Sequence, residues 1–429
     1  MSSTKRSSPL TAKTILLVGT LDTKGDEYAY LRDLIEQRGH HALMIDAGVF
    51  DGTSSTLLPR LVPDAGPARV AEAGGGDLAT LRERGDRNEA LIVMTRGAVA
   101  LAREWFADGR FDGVLALGGS GGTALASAVM RELPVGVPKV MVSTVASGDV
   151  GPYVGAADIA MLHSVVDIAG LNRISRRVLS NAVGAVCGMV EQSSPEQGST
   201  GDRPLIAATM FGVTTPCVAR VRERLDAAGY EVLVFHATGN GGRAMEALVA
   251  GGLVAGVADV TTTEWCDEVV GGMLGAGPHR LEAAGRQGVP QVVSCGALDM
   301  VNFMGAFESV PARFHGRQFH IHNANVSLMR TTPAECAEIG RVIAEKLNAA
   351  TGPTTLLVPL RGVSAMDQQG APFYDPEADA ALFDALRRHV RTPPVELIEL
   401  DLHINDPEFA DAIADRLLAG LAQQRAGRE

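Results

Sequence analysis

The residues best suited to chemistry sit in one turn. The apolar run Val114-Leu115-Ala116-Leu117 leads straight into Gly118-Gly119-Ser120-Gly121-Gly122-Thr123, and a small-residue helical pattern follows. Glycines let a main chain come close to a ligand. A helix start presents unpaired N–H groups at the positive end of its dipole, which suits phosphate or carboxylate. Ser120 and Thr123 add hydroxyl groups. No Gly-Lys-Ser/Thr follows, so this is not a Walker A loop, and it is not the GxGxxG dinucleotide pattern in the usual first turn either. Two further turns fit the same picture. Val142 to Asp149 carries Thr144, Ser147 and Gly148 after an apolar run. Gly19 to Gly25 carries Thr20, Asp22 and Lys24 after the first apolar run. There Lys24 would meet a phosphate and Asp22 would orient a magnesium-bound water or a hydroxyl. The alternative is an Asp/Thr cap on the first helix with Lys24 solvated.

The second half has its own polar turns: Phe211–Pro216, His236–Arg243, Thr261–Glu264 and Cys295–Asp299. Each follows an expected strand, so in a parallel sheet they share one edge and predict a second crevice there, or a site between two domains. His315, His320 and His322 lie close together in the chain, and on a strand His320 and His322 would point the same way. With Glu264 and Asp299, His322 would supply general acid–base chemistry on a small carboxylate or sugar-acid substrate, as in a carbon–carbon hydrolase or lyase. Spacing closes no metal-ligand set, so no metal site is assigned. No GxSxG elbow is present. The five cysteines form no CxxC pair and read as buried thiols.

These residues need a scaffold, and the pattern supplies one. Short β-rich runs alternate with helical stretches: Thr14–Gly19, Ala42–Asp46, Gly113–Leu117 and Lys139–Ser143, then Leu205–Met210, Glu231–Phe235, Val254–Asp259, Gln291–Cys295, Thr354–Val358 and Val395–Leu400. Such alternation predicts an α/β protein with mainly parallel sheets. Four helix starts carry an N-cap then proline, at Thr215, Thr332, Asp375 and Asp406, and Thr332 with Glu335 forms a capping box. Residues 51–87, with three prolines and Gly74-Gly75-Gly76, read as a long excursion. A chain of 429 residues exceeds one core. The polar stretch 191–204 is the expected linker between two Rossmann-like subdomains, 1–190 and 205–429. A net charge of −12 argues against a nucleic-acid or anionic-membrane partner. No run of some 18 apolar residues is present and no signal-peptide core follows Met1–Pro9, which predicts a cytoplasmic protein.

Taken in order, GTLDTKGDEYAYL (19–31), LALGGSGGT (115–123), STVASGDVGPYVG (143–155), FGVTTPCVARVRERL (211–225), FHATGNGGRAMEAL (235–248) and TTTEWCDEVVGGML (261–274) form an ordered set. The set resembles the ATP-binding domain family named for the tomato mosaic virus resistance protein, over nearly the whole chain. The resemblance implies two Rossmann-like subdomains, ATP binding and self-association into a homo-oligomer; Mg²⁺ is an expected companion of the bound triphosphate on the residue reading of Asp22. Nucleotide contact carries over to Gly118, Gly119, Ser120, Gly121, Gly122 and Thr123, to Thr144, Ser147 and Gly148, and to Thr20, Asp22 and Lys24. In the plant member a TIM-barrel-like domain follows, so a separately encoded TIM-barrel partner is an expectation, and a non-catalytic binding module for it is a third functional reading.

Overall fold

The computed structural model describes residues 11–50, 61–192 and 203–426. The chain divides into two compact units between Gln197 and Gly198. The amino-terminal unit runs β1 (Thr14–Gly19), α1 (Leu21–Gln37), β2 (His41–Asp46), α2 (Pro67–Ala73), α3 (Leu78–Arg84), α4 (Arg87–Ala107), β3 (Gly113–Gly118), α5 (Ser120–Arg131), β4 (Lys139–Ser143), α6 (Gly151–Val154), β5 (Ala160–His163) and α7 (Arg173–Gln192). Its five strands are all parallel, in the order β2-β1-β3-β4-β5.

Alternation along β1 builds two cores. Leu16 and Val18 face one way, with Val114 and Ala116 of β3, and pack against α2, α4 and α5. Ile15 and Leu17 face the other way, with Leu115 and Leu117, and pack against α1 and α7. Burial on both faces is why the strands read as continuous apolar runs. The amphipathic α4 buries Ala90, Val93, Met94, Gly97, Ala98, Leu101 and Trp105, a three–four spacing along one face. Asp86 caps it, accepting from the amides of Asn88 and Glu89.

The carboxy-terminal unit runs β6 (Leu205–Met210), α8 (Thr215–Ala227), β7 (Glu231–His236), α9 (Asn240–Ala250), β8 (Gly256–Thr261), α10 (Glu264–Val270), α11 (Ala283–Gln287), β9 (Gln291–Gly296), β10 (Met300–Met304), β11 (Phe319–Asn323), β12 (Val326–Arg330), α12 (Pro333–Leu347), β13 (Thr354–Pro359), α13 (Pro376–His389), β14 (Val395–Leu400) and α14 (Pro407–Ala426). Six parallel strands order as β14-β13-β9-β8-β6-β7, and β10-β12-β11 form a separate antiparallel sheet. Both parallel sheets therefore reverse their winding between the first and third strand of their unit, β1/β3 and β6/β8. The carboxyl end of that reversal is where ligands of open α/β sheets bind.

The mainly parallel α/β architecture expected from the sequence is present. Three details differ. Within the excursion, residues 61–87 carry the short helices α2 and α3, and residues 51–60 lie outside the described set. The α7 helix continues to Gln192, so Glu191 and Gln192 are helical rather than linker, and most of the remaining stretch to 204 lies outside the described residues. The antiparallel sheet has no counterpart among the expected strands. The capping box is present: Glu335 Oε2 accepts from Thr332 N at 2.8 Å, and Thr332 Oγ1 accepts from Glu335 N at 3.3 Å.

Candidate functional site

Tyr28 of α1 opens the amino-terminal sheet at its winding reversal. Its hydroxyl is wedged between β1 and β3, donating to Val18 O at 2.6 Å and accepting from Leu117 N at 3.1 Å. Pairing of β1 with β3 accordingly stops at Leu17–Leu115. Gly19 is required there, since a Cβ would fall 2.0 Å from the Tyr28 hydroxyl oxygen. Burial pushes the phenol far above its ordinary range, which keeps it neutral and able to donate.

Beyond this wedge lies a cleft of about 590 Å³, lined from one side by Thr20, Asp22 and Lys24 and from the other by Gly118 to Gly122. That volume suits a small organic ligand. Its floor is the start of α5. The N-cap is Gly119, no side chain caps the helix, and the first turn holds no acid. Its leading N–H groups are left for a ligand or water. The glycines divide into two kinds. Gly118 is needed by packing, because a Cβ would fall 2.8 Å from Gly122 Cα. A Cβ on Gly121 would meet nothing within 4 Å, and one on Gly119 only Thr144 Oγ1 at 3.8 Å. Neither has a positive φ. Packing and backbone conformation therefore leave Gly121 unexplained.

The walls differ in character. Leu81, Leu91 and Met94 of α3 and α4 give an apolar face, with Phe50 two-thirds exposed at 66%. Lys24, Arg82 and Arg87 bring positive charge, matched by Asp22, Asp86 and Asp167. The Lys24 ammonium donates to Ile168 O, and Arg82 Nε donates to Val49 O at 2.6 Å. Asp22 Oδ2 accepts from the amides of Val49 and Phe50, both at 2.9 Å, while its Oδ1 is buried without a partner. Asp46 beside it accepts from Leu21 N and Gly48 N, and burial raises its pKa.

The structure thus gathers Thr20, Asp22, Lys24 and Gly118–Gly122 in one place. Thr123 serves the packing instead, since it is fully buried and its hydroxyl lies 2.7 Å from Ser143 Oγ. Thr144, Ser147 and Gly148 are not among the residues lining the cleft. Thr144 ties the turns together, donating its N–H to Gly118 O at 3.2 Å. Sequence reasoning missed Tyr28, Arg82, Arg87 and the α3–α4 wall. Apolar spacing in α4 was the available signal for the last.

In the carboxy-terminal unit the equivalent edge is filled by the protein itself. Thr209 Oγ1 bridges β6 and β8, donating to Asp259 and accepting from Thr261 N. The start of α9, whose Gly239-Asn240-Gly241-Gly242 sequence echoes the first unit's turn, receives the Glu264 carboxylate: Gly239 N and Gly242 N donate to Oε1 at 2.7 and 3.0 Å. The buried Arg280 then pairs with Glu264, Asp259 and Glu246. Among the described residues Glu264, Asp299 and His322 make no mutual contact. Glu264 is 1% exposed within the Arg280 network, and Asp299 is fully buried against Ser364. His322 is exposed on β11. His320 lies edge-on to Phe373, and His315 Nε2 bonds to Val310 O. All five cysteines are free and buried. No group of three or more His, Cys, Asp or Glu residues suited to a metal ion is found among the described residues, and no helix among them is long and apolar enough to cross a membrane.

Family models decide the relationship. Residues 13–195 match the N-terminal domain and residues 203–421 the C-terminal domain of the uncharacterised protein family UPF0261. The chain belongs to UPF0261. A UPF0261 protein of Clostridium tetani is 52% identical over 406 residues, covering 95% of this chain and 98% of the relative. The UPF0261 protein RA0729 of Rhizobium meliloti is 50% identical, covering 93% and 97%. The tomato ToMV resistance protein Tm-1(GCR237), from Solanum lycopersicum, is 42% identical over 94% of this chain, which spans 55% of the tomato protein. The resemblance read from the motifs is therefore to the full two-domain UPF0261 family, tomato proteins included. A solved UDP-N-acetylglucosamine 2-epimerase covers 95% of this UPF0261 chain at 12% identity and a TM-score of 0.24, too slight a likeness to bear on the site.

Proposed function

We propose that the amino-terminal unit binds a nucleoside triphosphate, ATP by the motif resemblance, in the cleft at the β1/β3 reversal. The observation that carries this reading is the uncapped start of α5, with a glycine at 121 that neither packing nor backbone conformation demands. The phosphates would lie on the amides of residues 120–122, with Ser120 and Lys24 as further donors. The base would lie against the apolar face of Leu81, Leu91 and Met94. A magnesium ion arriving with the triphosphate would find the Asp22 and Asp167 carboxyl groups on the cleft wall. No hydrolysis or transfer step is assigned.

The reading of an enzyme on a small carboxylate or sugar acid has less behind it, since Glu264 already serves as the bound carboxylate of α9. A binding module for a TIM-barrel partner, self-association and a cytoplasmic location rest on the motif resemblance and on sequence alone. Co-purification from the native host and sedimentation test the first two. Isothermal titration with ATP, with and without Mg²⁺, tests the nucleotide reading: saturable one-site binding is expected, and absence of heat together with no thermal shift rejects it.

A further inference from the structure

Arg330 ends β12 at 3% exposure, and carboxyl groups reach it from separate segments. Asp379, in the first turn of α13, accepts from Nη2 at 2.7 Å. Asp367, in the loop after β13, has Oδ1 3.7 Å from Nη2. Asp299, in the turn after β9, accepts through Oδ2 from Ser364 Oγ of that same loop at 2.7 Å. Asp299 and Asp367 are both 0% exposed, and Oδ1 of each has no hydrogen-bond partner. Asp367 and Asp379 stand within hydrogen-bonding reach of each other, a contact that attracts only when one of them is a carboxylic acid.

Arg317 donates to Arg330 O at 2.7 Å, and its guanidinium is paired with Glu335 rather than with these aspartates. Thr331 Oγ1 and the Cys336 thiol meet Arg330 from the start of α12, and the loop offers the carbonyls of Phe373 and Asp375. His403, after β14, faces the same loop: its Nδ1 accepts from Asn405 N at 3.1 Å and its Nε2 donates to Ser364 O at 2.9 Å. The buried thiols of Cys266 and Cys295 lie nearby, and Asp267, bonded to Asn302, lies beyond Cys266. Three ionised carboxylates against one guanidinium, all out of water, would carry a large desolvation cost. A proton held on one of these carboxyl groups removes part of that cost.

We propose that Asp299, Asp367 and Asp379 hold a shared proton around Arg330 at neutral pH, and that this proton latches the 361–375 loop and the start of α13 onto the carboxyl edge of the six-stranded sheet. Burial raises Asp299 to about 7 and Asp379 to about 8, and raises Asp367 in the same direction. The folded state then binds more protons than the unfolded one between about pH 4 and pH 8, so the latch weakens as pH rises through that window.

Hydrogen–deuterium exchange of the full-length protein, corrected for the intrinsic rate, reads the latch. Opening of peptides within 361–379 should rise with pH, approaching about tenfold per pH unit between about pH 5 and 7 and levelling off above about 8. Asp299→Asn, which keeps shape but cannot ionise, should flatten that slope. Infrared spectroscopy of the wild-type protein reads the proton itself, and stands even if the variant does not fold. A buried carboxylic-acid carbonyl band should be present near pH 7 and fade by about pH 9. Exchange over 361–379 that ignores pH, or no such band at pH 7, overturns the proposal.

Discussion

Gly119 and Gly121 are the positions where substitution separates binding from folding. Gly119 is the N-cap of α5, and aspartate is among the best N-caps. In Gly119→Asp the new carboxylate would lie on the amides that a phosphate needs, as Glu264 lies on those of α9. Nucleotide binding should be lost while thermal stability holds or rises by the few tenths to 1 kcal/mol that an acid at a helix start contributes. Gly121→Ala adds one methyl group to open space. Its melting temperature should not fall, yet affinity for ATP should drop by about tenfold or more if phosphates approach closely; unchanged affinity would remove the explanation offered for that glycine. Tyr28→Phe leaves Leu117 N without its partner and should cost about 1–3 kcal/mol in denaturant unfolding.

Among the elements, the two helix starts α5 and α9 show one device used in two ways. Both follow strands and both open on glycines, but α9 carries an internal carboxylate and α5 carries none. The Arg280 network behind Glu264 is structural. Arg280→Ala would leave Glu264, Asp259 and Glu246 buried without their cation, and should destabilise the carboxy-terminal unit by about 3–5 kcal/mol in urea. Much of this level was legible in the chain. Parallel strands buried on both faces announce themselves as apolar runs, so β1, β4 and β6 match their expected limits residue for residue, and the half-exposed edge strand β14 matches as well. The antiparallel β10, β11 and β12 were harder to see, because β11 is a half-exposed edge strand with little apolar signal. The glycine turn and Thr20–Lys24 were readable from local pattern. Tyr28 and Arg280 were not, because Tyr28 joins partners 10 and 89 residues away, Arg280 joins partners 16 or more residues away, and nothing local marks either.

For the molecule as a whole, two units predict two responses. ATP at 100 times its dissociation constant should stabilise whatever unit binds it by about 2.7 kcal/mol. Calorimetric scans should therefore show the amino-terminal transition moving up with ATP and the carboxy-terminal one staying put, with assignment by exchange mass spectrometry. The carboxy-terminal unit should respond to pH instead, losing stability as pH rises toward about 8, since burial holds Asp267 and Asp299 near 7 and Asp379 near 8. On a chain of net charge −12, Lys24, Arg82 and Arg87 offset Asp22, Asp86 and Asp167 in the cleft lining, which leaves the amides at the start of α5 as the feature that would hold a polyanion. Whether the open reversal of the amino-terminal sheet is an anion seat for a nucleotide is decided by titrating ATP into the wild-type protein and into Gly119→Asp, side by side in one buffer. Saturable one-site binding to the wild type and none to a fully folded variant is the expected outcome; equal affinity for both, or no binding to either, would refute the anion seat.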